Sequence, residues 1–299
     1  MARLAREHRP SRLVSTTAAA PLFRFVQLEV PWALGPADGR YVLRGHAGEP
    51  AYILVLRTLG ASQRRLLGRR GRARPAAPSP EPTPVTTARA TLIAARPLSE
   101  PGERWLASAD LDAEADRAIE VLNAVLHAHR IAAADPAVRP VARAQALVVR
   151  VGVGGGEQVA DGRWARAVEV APPRARSHRE SVLRPQERLA AILGARDVVL
   201  ACEDLTLRAR ADADAGRWRE AAFQLRVALE AAIAELQPWS GQGDLDARIE
   251  ALREQRTSVG QIANTALEGG LQEPQIGQVG AVLEQIEAAL RARTQLGLR

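Results

Sequence analysis

Residues Arg150 to Trp164 read RVGVGGGEQVADGRW, with glycines at 152, 154, 155, 156 and 162 closing an apolar run. A glycine-rich loop after a strand is where backbone amides can approach and cradle a phosphate. The spacing here argues against that chemistry. A P-loop needs G-x-x-x-x-G-K-[ST], and the chain has no lysine, so all 41 basic residues are arginine. A G-x-G-x-x-G fingerprint begun at Gly152 puts Glu157 in place of its third glycine, and one begun at Gly154 puts Val159 there. Glu157 and Asp161 would also set negative charge beside any phosphate. The expectation is a wide connection between two strands, with glycines supplying positive φ or a bulge. Gly154, Gly155, Gly156, Glu157, Asp161 and Trp164 stand as a candidate pocket loop. The question is whether Glu157, Asp161 and Trp164 face solvent or a second domain.

The second candidate is QRRLLGRRGRARPAAPSPEPTPV, residues 63–85. Arg64, Arg65, Arg69, Arg70, Arg72 and Arg74 could neutralise phosphates, with affinity falling steeply as salt rises. No aromatic residue is interleaved to stack on single-stranded bases. The proline-rich half favours extended, solvated chain, so the reading is a disordered insertion over 62–85 that keeps itself soluble. Nucleic acid is the partner it would take if it binds one.

The remaining chemical signals resolve into structure. His127 and His129 are two apart in a helical period, which places them on different faces, and no acid or cysteine completes a ligand set. DLDAEAD (110–116) lacks the glycine and closing glutamate of a calcium loop and reads as a solvated first helical turn. There is no G-x-S-x-G, no H-E-x-x-H and no cysteine–histidine arrangement. Cys202 lies on an apolar stripe, where a buried, inert thiol is expected. No catalytic residue, metal ligand or cofactor is assigned. The absence of lysine itself excludes Schiff-base and lysine general-base mechanisms.

These residues need elements to position them. FRFVQLEV from Phe23 alternates, with Val26, Leu28 and Val30 on one face, and Pro31 ends it. RYVLR, AYILVLRTLG, TTARATLIAAR, QALVVRVGV and RWARAVEV read as further strands. Between them, Asp110 caps a long helix carrying Leu111, Ala115, Ala118, Leu122, Val125 and His129 as its stripe. Beyond residue 185 every long segment is helical. Residues 185–214 read as one stripe through Leu189, Ile192, Val199, Cys202, Leu205 and Ala209, and the last helix repeats Ile276, Val279, Leu283, Ile286 and Leu290.

The fold class is therefore α+β: an N-terminal mixed sheet domain with one long helix, followed by a C-terminal antiparallel helical bundle. The expected organisation is a disordered basic leader at 1–20, an α+β domain at 21–170, a linker at 171–185 and the bundle at 186–299. Within the bundle, RARADADAGRWREAAFQLRVALEAAIAEL resembles the helix-turn-helix pairs of the tetratricopeptide and HEPN families. No second unit repeats at a 34-residue period, which speaks against a repeat array. HEPN ribonucleases pair an arginine with a histidine several residues on. No histidine follows His178, so that activity does not carry over.

The formal charge of +7 is unevenly placed. Residues 1–84 hold 14 arginines against 5 acids, whereas the rest holds 27 against 29. Only the first part is a candidate for anionic partners. A single cysteine and no run near the roughly 18 apolar residues of a membrane span point to a cytoplasmic protein that meets no membrane. The preferred function is a non-catalytic interaction or scaffold role, with the bundle meeting a protein partner or a second copy as a homo-oligomer. The alternatives are nucleic-acid or polyanion binding through Arg64 to Arg74, and an enzyme with an arginine/carboxylate site between domains.

Overall fold

The computed structural model describes residues 20–45, 47–60, 86–171 and 185–297. The expected Arg-rich insertion at 62–85 lies outside the described residues, as do the leader at 1–20 save residue 20 and the linker at 171–185 save residues 171 and 185. The chain divides into two compact units, Met1–Pro173 and Arg174–Arg299.

The first unit is a six-stranded sheet: β1 (Phe23–Val30), β2 (Gly39–Arg44), β3 (Pro50–Leu59), β4 (Thr87–Ala94), β5 (Val148–Gly154) and β6 (Arg166–Glu169). Their order across the sheet is β2-β3-β4-β1-β5-β6. Every adjacent pair is antiparallel, so the expected mixed sheet is corrected to a purely antiparallel one. The physical reason is an inserted strand. β4 and β5 run in the same sense and are joined through helices, as in a parallel crossover, but β1 lies between them and opposes both.

Those helices are α1 (Gly102–Ser108) and α2 (Leu111–Ala132). Asp110 starts α2 as read from the sequence, its carboxylate accepting the Ala113 amide at 3.0 Å. Ala115, Ala118, Ile119, Leu122 and Leu126 turn onto Val26, Leu28, Val30, Leu54, Leu56, Leu92 and Val151. These sheet residues are the alternate positions of their strands, so one face of the sheet forms the main core of the unit with α2.

The second unit is all helical: α3 (Pro185–Leu193), α4 (Ala201–Asp214), α5 (Trp218–Glu235), α6 (Leu245–Glu254), α7 (Arg256–Glu268) and α8 (Glu273–Gly297). Gly216, at φ +70°, turns α4 into α5, and Arg217 closes the turn on Asp212 at 2.7 Å. The Glu235 carboxylate then accepts the Ala201 and Cys202 amides, so the end of α5 caps the start of α4. That reciprocal placement makes the pair antiparallel. Leu225, Leu229, Ile249, Leu283 and Ile286 are buried at the centre of the bundle.

The single stripe expected over 185–214 is interrupted. α3 ends at Leu193, Ala195 takes φ +53°, and the chain restarts as α4 at Ala201. Leu189 and Val199, read as core residues, are exposed instead.

Candidate functional site

The glycine loop is built by packing as much as by chain reversal. β5 meets the edge strand β6 so closely that a Cβ on Gly152 would lie 2.5 Å from the Arg166 carbonyl oxygen and 2.7 Å from the Phe25 ring. A Cβ on Gly154 would strike Val159 Cγ1. Gly156 (φ +112°) and Gly162 (φ +83°) bracket a short 3-10 turn, Glu157–Asp161, with backbone angles that favour glycine. This turn folds back across the sheet face opposite α2. There Val159 and Ala160 bury themselves against Phe25, Val55 and Ile93.

The polar residues of the loop diverge. Glu157 reaches sideways to Arg40 on β2, at 2.5 Å. Asp161 stays in solvent beside Arg163, at 3.8 Å. Trp164 stacks on Phe25 with ring centroids 5.8 Å apart, and the Arg150 guanidinium lies 5.9 Å from its ring centroid. Gly155 and Gly156 carry the chain over, and nothing brings the two carboxylates together. Arg64, Arg65, Arg69, Arg70, Arg72 and Arg74 lie outside the described residues.

Sequence reasoning missed the polar ledge under this loop. Gln27 and Thr91 are fully buried, the Gln27 amide donating to Thr91 Oγ1 at 3.1 Å and to the Val159 carbonyl at 3.4 Å. Beside them Glu29 accepts from Arg89 at 2.8 Å and from Arg150 at 3.3 Å, and Arg89 also donates to the Ala160 carbonyl at 3.4 Å. The sheet's second face thus holds the turn by its backbone carbonyls. The signal was present: two-residue alternation places Gln27 and Glu29 on the face of Phe25, which α2 does not cover. Glu29 thus has two arginine partners and Glu157 one.

In the helical unit the charged centre is Asp197. Its carboxylate accepts from Arg293 on α8, which is 2% exposed, and from Arg188 on α3. Burial pushes the Asp197 carboxyl up, but hydrogen bonds from Arg293, the Val198 amide and Arg188 more than offset it and hold it below the ordinary value. Arg188 also bridges to Glu203 at 2.6 Å, and Glu203 accepts the Leu200 amide at the start of α4. The Arg293 guanidinium lies 4.6 Å from the Trp239 ring centroid. Cys202 is buried, as expected from its stripe. Burial first, and the neighbouring Glu235 second, push its thiol well above the usual range.

On the outside of the same region several large apolar side chains are exposed, interspersed with the exposed Gln186, Glu187 and Arg196. Leu189 and Leu193 on α3 are 49% and 78% exposed, and Val198 and Val199 in the following turn are 55% and 65% exposed.

Comparison with known proteins finds no matching family model, no matching curated protein and no matching solved structure. No family is shown. The α4–α5 pair is present as an antiparallel helix-turn-helix, and the resemblance to tetratricopeptide and HEPN pairs goes no further. Among the described residues no three histidine, cysteine or acidic side chains gather to hold a metal ion, and no helix is long and apolar enough to cross a membrane.

Proposed function

We propose that the protein is a non-catalytic interaction or scaffold protein of the cytoplasm, and that its helical unit meets a partner helix or a second copy along α3 and the turn after it. The observation that carries this reading is the exposure of Leu189, Leu193, Val198 and Val199 within one stretch of eleven residues. Single exposed leucines are ordinary on a soluble surface, whereas a local group of them is what interaction sites present. The engagement of Glu29, Glu157, Asp197 and Glu203 by arginines supports a binding rather than a catalytic role.

The test is the double substitution Leu189→Asp/Leu193→Asp in the full chain. Sedimentation across protein concentration and affinity capture from the native host are compared with the unsubstituted chain. The expected result is loss of self-association or of specific captured partners with the fold retained. Identical sedimentation and identical partners in both proteins would refute the proposal. Binding of a polyanion through Arg64 to Arg74 is a second proposal, resting on the excess of arginine over acid in residues 1–84.

A further inference from the structure

A cavity of about 280 Å³ lies in the first unit, between the connection from β1 to β2 and the facing ends of β3 and β4. Its existence follows from how that connection is pinned and from the size of its residues. Leu34 is buried in the core with α2, and the Tyr41 hydroxyl donates to the Ala37 carbonyl at 2.7 Å. The Asp38 carboxylate accepts the Thr58 amide at 2.8 Å and the Thr58 hydroxyl at 2.9 Å. Around these pins the connection presents Ala33 and Ala37, and β4 presents Ala88. The chain is held over the strand ends by residues too small to fill the space. Leu34, Leu56 and Ala88, all buried, give the cavity an apolar floor.

Three charged residues line it: Asp38, Arg57 and Arg89. Arg89 is engaged elsewhere, on Glu29 at 2.8 Å and on the Ala160 carbonyl at 3.4 Å. Asp38 and Arg57 differ from it, since among the described residues neither forms an ion pair. Asp38 has the neutral donors of Thr58, which orient both its oxygens and leave its charge uncompensated. Arg57, the residue before Thr58, reaches the Leu56 carbonyl at 3.4 Å, so its guanidinium stays beside the cavity wall. A carboxylate and a guanidinium thus stand on the rim of one apolar cavity without closing on each other. A few placed polar groups over an apolar floor are the usual makings of a small-molecule site.

We propose that this cavity binds a small zwitterion of the apolar α-amino acid class. Its ammonium group meets Asp38, its carboxylate meets Arg57, and its side chain covers Leu34, Leu56 and Ala88. The guanidinium fork matches a carboxylate with two parallel hydrogen bonds, and the Asp38 carboxylate is already fixed to accept from an ammonium. A plain amine would answer Asp38 alone and a plain carboxylate Arg57 alone, whereas a zwitterion answers both. The volume lies just under the roughly 300 Å³ at which ordinary ligand pockets begin, which suits a molecule of amino-acid size. The site belongs wholly to the first unit and does not rest on the docking role of α3.

The test follows amide chemical shifts of the full chain as L-leucine, L-alanine, L-leucinamide or isocaproate is added. Leucinamide lacks the carboxylate, isocaproate lacks the ammonium group, and alanine lacks most of the apolar side chain. The expected result is saturable shifts with leucine at the amides of Leu34, Asp38, Thr58 and Ala88. Leucinamide and isocaproate should each bind about tenfold more weakly, the loss of one charge-assisted contact. Asp38→Asn keeps an acceptor for Thr58 and removes the charge, and Arg57→Gln changes an exposed residue. Each should weaken leucine binding about tenfold while the β1 and β5 amides keep their shifts. Absence of saturable shifts with leucine would overturn the proposal. So would equal affinity for leucine and any of the other three probes, or unchanged affinity in either variant.

Discussion

If the glycine loop is a packed cap rather than a mobile hinge, its buried valine must contribute to the stability of the sheet. Val159 is fully buried against Phe25, Val55 and Ile93. Val159→Ala deletes two methyl-sized groups, a transfer loss of about 1.6 kcal/mol at ~0.8 kcal/mol each. The cavity left behind raises the expected cost to about 2–3 kcal/mol. A solvated hinge would instead show a change within about 0.5 kcal/mol. The geometry adds a sharper test, because a Cβ on Gly154 would collide with a methyl of Val159 itself. Gly154→Ala alone should cost about 1–3 kcal/mol through overpacking. In the Val159→Ala background the obstructing methyl is gone, so the double variant should be less destabilised than the two single effects combined. Urea unfolding followed by hydrogen exchange at β1, β4 and β5 amides reads the first unit by itself. A near-zero effect of Val159→Ala, or strict additivity in the double variant, would refute the cap.

Two further predictions concern the helical unit. Cys202 should resist iodoacetamide at pH 8 in the folded protein and react promptly in urea, since burial and Glu235 both disfavour its thiolate; comparable rates in the two states would show that the α4 start opens freely. Asp197 has a folded pKa held below its ordinary 3.8, so its stabilisation is fully present above that value and is lost as pH falls through the lower folded value. Asp197→Asn should cost about 3 kcal/mol at pH 7 by leaving the buried Arg293 without its counter-charge. It should also flatten the acid limb of the bundle's stability, and an acid limb as steep as that of the unsubstituted chain would remove Asp197 as its cause.

The parts of this fold legible from sequence are those where one local rule acts alone. All six strands fall on the windows read as strands, three of them running one residue past the window at Gly39, Pro50 and Gly154, and Asp110 caps α2 because a short acidic side chain before an apolar helical run has few other uses. Strand direction was not legible, because the insertion of β1 between β4 and β5 is decided by the whole sheet. Gln27 and Thr91 were hidden for a related reason. Polar residues alternating with Val26, Leu28, Ala90 and Leu92 read as a solvated face, and only the returning loop shows them to be buried and paired with each other.

In two regions the fold uses its side chains in a way the local pattern does not show, and the reason is physical. Glycines at 152 to 156 carry no side chains, so sequence registers freedom there, while the fold uses the missing Cβ atoms to bring β6, Phe25 and Val159 into contact. Leu189 registers burial, while the fold turns Arg188 inward and leaves it outside. In the first region close packing is added to the positive-φ turn that the glycines were expected to supply. In the second an ion pair from Arg188 to Glu203 stands where the stripe suggested a core contact. Exposed leucines on this helix are poorly explained by the stability of the bundle alone, since they add nothing to the core beneath them. They are well explained if they have another surface to meet.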